Sequence, residues 1–344
     1  MPVIDVHAHM FPQSGIKAWK EGRDWFGATI EKGASGPATI RQGKLETKYS
    51  RTEFWIPYRE RIPFMDQNGI DVQTLSLNPQ MIRDQWEPKS TIDFSRSVND
   101  ELGEAVAESP DRFEALGNLP LQDTDASVRE VNRAMSELGL KGFLVASHVA
   151  GRRWDDPGLF PILQEMERTG AFLLIHPFNN LIAGYGIMPR YHLINLIGNP
   201  METTVAAASL ILGGVIDRLP KLNICLSHAG GYLPFAAGRF DHAFGKRDDV
   251  STAAKRLPSD YLRAFYYDCI SHSDVGLEFV FEQVGADRIL VGTDFPADMG
   301  LEKPHDFLVR QKYLSDADRK KIESENALKL GIGPRAARKQ SKKN

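Results

Sequence analysis

The sequence predicts a (β/α)8 barrel built as a single domain. Three observations carry that reading. Eight short apolar, β-branched runs recur along the chain, amphipathic segments alternate with them, and glycines close several of those segments just before the next run. Eight strands in such an alternation imply a closed parallel barrel more naturally than an open sheet.

The expected strands are Val3–Val6, Val72–Leu77, Phe113–Gly117, Lys141–Val145, Phe172–Ile175, Asn223–Leu226, Ala264–Tyr267 and Ile289–Val291. Helix-like segments lie at Ser95–Ser109, Ala126–Gly139, Pro157–Gly170, Thr203–Pro220 and Asp274–Gly285. Gly69, Gly139, Gly170 and Gly285 read as helix terminators in the turns that lead into strands. Residues 12–63 break the rhythm. They hold many Gly, Lys and aromatic residues and end in a helix-like stretch at Tyr58–Met65, so they read as a long insertion after the first strand, of the kind that forms lids or contact arms. The barrel domain is expected over residues 1–334, followed by a basic tail over 335–344 that reads as a frayed terminus.

The chain's 344 residues and 42% hydrophobic content suffice for a large core. A formal net charge of -3 argues against a surface-wide nucleic-acid footprint. The N-terminal MPVIDVHAHMF lacks the basic and apolar blocks of a signal peptide, and AAASLILGGVI is too short to span a bilayer. A cytoplasmic protein without a membrane partner is therefore expected. The two cysteines, Cys225 and Cys269, fall in strand-like segments and read as buried structural thiols.

Chemistry-bearing residues cluster at the ends of the expected strands. His7 and His9 close the first, and their spacing of two puts both on one face. His176 ends the fifth, His228 follows the sixth and Asp294 ends the eighth. Taken singly, Asp294 fits a helix cap and His228 a loop-orienting residue. Together, all five converge at the catalytic mouth of a barrel. Imidazole and carboxylate suit zinc, and also manganese, iron or cobalt, so the ensemble reads as a metal centre.

Six segments, VIDVHAHMFP, MDQNGIDVQTLS, LGNLPLQD, LLIHPF, KLNICLSHAGGYLPFAAGRFDHAF and RILVGTDFP, run from residue 3 to about residue 296. In their order, spacing and flanking residues the chain resembles the metal-dependent amidohydrolase superfamily, and within it the group that contains α-amino-β-carboxymuconate-ε-semialdehyde decarboxylase. The resemblance implies His7, His9, His176 and Asp294 as ligands of one divalent ion, zinc first and manganese second, with His228 as acid/base. It implies Arg239 as a carboxylate clamp reaching a neighbouring subunit's site, hence a homodimer, and sets Trp86 and Glu87 near that site. A second carboxylate-binding residue falls in the insertion, at Arg51 or Lys48. The fourth strand region, GFLVASHVA, has no lysine placed to bridge two metals, which favours a mononuclear centre; His148 there reads as a loop histidine.

Such a centre fits two reactions. One is non-oxidative decarboxylation of an aromatic or unsaturated carboxylic acid, with His228 moving the proton, Arg239 holding a carboxylate and Trp86 and Phe178 packing the ring. The other is hydrolysis of a lactone, amide or ring-cleavage product, or a related hydration, by a metal-activated water.

Overall fold

Strands β1 (Ile4–Met10), β2 (Ala28–Gly33), β3 (Gly36–Gln42), β4 (Leu45–Lys48), β5 (Val72–Leu77), β6 (Phe113–Gly117), β7 (Gly142–Ala146), β8 (Phe172–His176), β9 (Asn223–Leu226), β10 (Phe265–Asp268) and β11 (Ile289–Leu290) form two sheets. The computed structural model describes residues 1–33, 36–42, 45–48, 51–83, 86–178 and 185–334, with the backbone alone at 32–33, 36–38, 42, 45–48 and 185. The larger sheet holds eight strands in the order β1-β5-β6-β7-β8-β9-β10-β11, all parallel. Bridges Asp5–Val291 and Ala8–Phe295 join its two edges, so the sheet closes into the expected barrel. The basic tail lies outside the described residues.

Helices α1 (Gln13–Lys20), α2 (Ile62–Gln67), α3 (Pro88–Glu108), α4 (Thr124–Ser136), α5 (Phe160–Thr169), α6 (Asn199–Leu212), α7 (Val215–Arg218), α8 (Leu233–Phe244), α9 (Asp274–Val284), α10 (Pro304–Val309), α11 (Asp316–Lys320) and α12 (Asn326–Lys329) complete the chain. Side chains of Glu87, Asp123 and Ser273 cap α3, α4 and α9. The four glycines expected to end helices all take positive φ, from 69° to 75°.

Alternation along the strands divides the core. Ile4, Val6, Leu116, Leu144, Phe172, Leu174 and Leu290 pack together inside the barrel. Leu75, Phe113, Phe143, Leu173, Ile224 and Phe265 pack outward with helix residues such as Val98, Leu163 and Leu210. In β1 the register shifts between Asp5 and Ala8. That irregularity lets His7 and His9 share the interior side with Ile4 and Val6, which strict alternation would forbid. Both cysteines are buried and free, and burial pushes the Cys269 thiol up to about 12.

The insertion after β1 carries secondary structure of its own. It contains α1, an antiparallel sheet β2-β3-β4 and two short 3-10 turns before α2. Its strands are short and mostly polar, so no apolar run marked them. Trp25 and Phe26 pack edge-on against Phe94, and the buried Arg83 guanidinium lies against Trp25, Phe26, Trp86 and Phe94 while donating to the Phe26 carbonyl at 2.7 Å. Helix α8, within GGYLPFAAGRFDHAF, was also not anticipated as a helix. No helix among the described residues is long and apolar enough to cross a membrane.

Candidate metal centre

Ligand atoms of His7, His9, His176 and Asp294 lie within 4.8 Å of one another at the mouth of the barrel, and all four residues are buried. Each histidine is oriented from behind. His7 Nδ1 donates to Asp268 Oδ2 at 2.7 Å, and His176 Nδ1 donates to the Pro177 carbonyl at 2.9 Å. The Ser76 hydroxyl donates to the Ala8 carbonyl, so its oxygen accepts from His9 Nδ1 at 3.0 Å. All three Nε2 atoms are thereby left to face Asp294 Oδ1, at 3.4 Å from His7, 2.8 Å from His9 and 3.9 Å from His176. His7 and His9 Nε2 stand only 3.1 Å apart, and the buried His176 Nε2 has no hydrogen-bond partner among the described residues. Ligand atoms gathered this closely suit a cation, and a 3-His, 1-carboxylate donor set fits one divalent ion.

The protonation pattern has the same cause. Burial pushes His9 down to about 4 and His176 down to about 3. Burial also acts to lower His7, but its bonds to Asp268 and Asp294 outweigh that and raise it to about 10. Burial opposes ionisation of Asp294, yet hydrogen bonds from the surrounding histidines hold it well below the ordinary carboxylate range.

His228 stands beside this group rather than in it. Its Nε2 is 3.5 Å from Asp294 Oδ2, the oxygen turned away from the other three histidines. Asp268 accepts the backbone N–H of His228 at 2.9 Å and of Ala229 at 2.8 Å, so one carboxylate fixes both His7 and the His228 turn. His228, Ala229, His272 and Asp294 all have φ between 53° and 55°. Such strained backbone at three adjacent strand ends is characteristic of a site that positions side chains against local preference. Asp5 is a second orienting carboxylate, accepting from the Thr293 hydroxyl at 2.6 Å, the Thr293 N–H at 3.1 Å and the His7 N–H at 3.0 Å.

A cavity of about 310 Å³ opens above the cluster. His228 and Asp294 form its floor, and its walls include Asn199, Tyr232, Phe235, Ile270 and Phe279. Arg51, Trp86, Phe178 and Arg239 do not line it. Arg51 pairs with Glu53 and Glu302 at 3.0 and 3.2 Å and donates to the Ala297 carbonyl at 3.5 Å, close beyond Asp294. Trp86 stacks on Arg83, Glu87 caps α3, and Phe178 packs in the barrel interior. Arg239 is exposed on α8. The side chain of Lys48 lies outside the described residues.

Sequence reasoning missed Asp268 and Glu202. Asp268 carried a signal, since an aspartate ends the FYYD run as Asp294 ends ILVGTD. Glu202 carried none. It sits in a helix yet is buried, accepting from the Ser147 hydroxyl and the Phe178 N–H, and it approaches His148 at 3.9 Å.

Comparison with known proteins agrees with this geometry. The amidohydrolase family model matches residues 4–330. A 2-amino-3-carboxymuconate-6-semialdehyde decarboxylase of Dictyostelium discoideum is 34% identical over 340 residues, covering 96% of this chain and 92% of the relative. A gamma-resorcylate decarboxylase of Rhizobium radiobacter is 33% identical over 285 residues, covering 78% and 85%. The structure of a dihydroxybenzoic acid decarboxylase from Polaromonas sp. JS666, with bound manganese and the inhibitor 2-nitroresorcinol, superposes with a TM-score of 0.76 at 26% identity over 96% of each chain. The chain belongs to the amidohydrolase family and is one of its metal-dependent decarboxylases.

Proposed function

We propose that this enzyme decarboxylates an aromatic or unsaturated carboxylic acid at one divalent ion held by His7, His9, His176 and Asp294, with His228 as the proton carrier. The observation that carries the reading is the division of Asp294. One oxygen meets three oriented imidazoles and the other faces His228, at the floor of a largely apolar cavity. When bound, the ion polarises a substrate oxygen and stabilises developing negative charge.

The remaining work falls to the chain. Phe235, Ile270 and Phe279 offer apolar surface for the substrate's body beside the floor. The carbon–carbon bond to the carboxylate breaks, carbon dioxide leaves, and the carbon that keeps the electron pair accepts a proton from His228. Asp294 Oδ2 holds the imidazole in place for that transfer. Arg51 reaches the Asp294 loop, and a substrate carboxylate would exchange with Glu302 as its partner.

Both zinc and manganese suit the donor set, and the manganese of the Polaromonas relative supports manganese beside the zinc first expected. Exposure of Arg239 away from this chain's cavity supports its use by a second copy, hence a homodimer; a cytoplasmic setting completes the proposal. Mass detection of carbon dioxide from metal-loaded enzyme across a panel of aromatic acids tests the reaction. Turnover that adds water and releases no carbon dioxide would replace it with hydrolysis.

A further inference from the structure

The first turns of α6 brace two sides of the metal centre. Toward β9 they press onto the turn that carries His228. A Cβ at Gly231 would stand 2.2 Å from the Pro200 carbonyl oxygen, and the Tyr232 N–H donates to Thr204 Oγ1 at 2.8 Å. Toward β8 they present Glu202, which is only 6% exposed. Glu202 Oε2 accepts the Phe178 N–H at 2.7 Å and the Ser147 hydroxyl, and Oε1 faces His148 Nε2 at 3.9 Å. Ser147 also donates its own N–H to the His176 carbonyl at 3.0 Å. Burying a carboxylate is costly, and both hydrogen bonds that offset the cost here come from residues that also hold His176.

The Phe178 N–H belongs to the same peptide group as the Pro177 carbonyl, and that carbonyl accepts from His176 Nδ1 at 2.9 Å. Carboxylate, peptide and imidazole therefore form one chain of hydrogen bonds. Amide resonance couples the two ends of a peptide group, so a negative acceptor at the N–H draws electron density onto the oxygen. The polarised Pro177 oxygen holds the Nδ1 proton more strongly. That fixes the tautomer of the ring and makes Nε2 a better donor of its lone pair. His7 receives the same support from Asp268 directly. For His176 the carboxylate stands one peptide group away.

We propose that Glu202 is a positioning residue that orients His176 through the Pro177–Phe178 peptide and strengthens Nε2 as a ligand of the divalent ion. The proposal rests on the reading of His176 as a metal ligand. It adds no step to the reaction.

The test uses the full chain with zinc as the probe. Zinc affinity is read by chelator competition, and the Nδ1–H protons that respond to zinc are followed by NMR. Asp268→Asn and Ser76→Ala assign the His7 and His9 protons, which leaves that of His176. Glu202→Gln keeps the shape and an acceptor oxygen but removes the charge. It is expected to weaken zinc binding about tenfold, the low end for a residue behind a metal-bound histidine. The His176 proton should move upfield as its hydrogen bond weakens, while the His7 and His9 protons stay in place. Ser147→Ala removes one of the two donors that share Oε2, so the Phe178 bond strengthens and the same proton moves downfield. A brace with no part in tuning the ligand would shift all three protons or none. If Glu202→Gln fails to fold, the direction of the Ser147→Ala shift decides. Unchanged zinc affinity in Glu202→Gln, or a His176 proton that moves in neither variant, would overturn the proposal and leave the ligand set standing. Zinc bound by His176→Ala as tightly as by the wild type would overturn the ligand reading, and the proposal with it.

Discussion

His7 is held at both ring nitrogens, by Asp268 behind and Asp294 in front. Replacing Asp268 by Asn offers an amide N–H that can donate to Nδ1 and move the ring proton to Nε2, where the ion must bind. Asp268→Asn is therefore expected to weaken metal affinity about 10- to 100-fold, read by chelator competition. The same double hold raises His7 to about 10, while His9 and His176 stay neutral above about 4 and 3 and Asp294 stays ionised. Between pH 7 and 9 metal uptake thus displaces about one proton, from His7, visible by calorimetry in buffers of different ionisation enthalpy. The sign for stability follows. A raised histidine pKa stabilises the metal-free protein fully below its ordinary value near 6.5, and that contribution disappears as pH rises through about 10. The gap in melting temperature between metal-loaded and metal-free protein should widen across that range. His228 makes no such demand on the ion. His228→Asn is expected to keep the metal, by elemental analysis, and to lower kcat by about a hundredfold or more.

At the scale of elements, the turn between β9 and α8 does what no single side chain does. His228, Ala229, Gly230 and Gly231 all have positive φ, and the last nearly touches α6. Gly231→Ala adds a Cβ where backbone already stands, in a conformation that L-residues avoid. Expected are a loss of about 1–3 kcal/mol in unfolding free energy and a larger loss of kcat than of bound metal, measured by denaturant titration and elemental analysis. The sequence announced this turn only as SHAGG. Its barrel strands were legible because each is an apolar run bounded by turn residues, and the metal ligands because they stand at the ends of those runs. Strands β2, β3 and β4 were not, since short, half-polar hairpins bury little and leave no run to read. Helix α8 was obscured by its own glycine and by the glycines before it. Glu202 lay beyond sequence reasoning for a different reason. Its partners, Ser147 and Phe178, are contributed by other strands and loops, and distance along the chain hides such pairings.

For the molecule as a whole, closure of the barrel brings residue 5 to residue 291 and so assembles a site from both ends of the chain. The surface around that site is less finished than the core. Phe235 is 84% exposed on α8, its ring 6.5 Å from that of Phe279, with Tyr191, Leu196 and Tyr232 also exposed. Arg239 follows Phe235 by one helical turn and so shares its face. An exposed apolar patch of this kind beside a polar cation is the ordinary signature of an interface, and a second copy bearing the same helix is the occupant expected for the proposed homodimer. Phe235→Glu should then convert dimer to monomer in sedimentation, with metal content unchanged. Arg239→Ala should leave the dimer intact and lower kcat/KM. Mixing Arg239→Ala subunits with His228→Asn subunits should restore activity, because one site of each mixed dimer then combines an intact His228 with the arginine of the other copy. Exchange of subunits without any recovery would confine Arg239 to its own chain and remove the shared site from the mechanism.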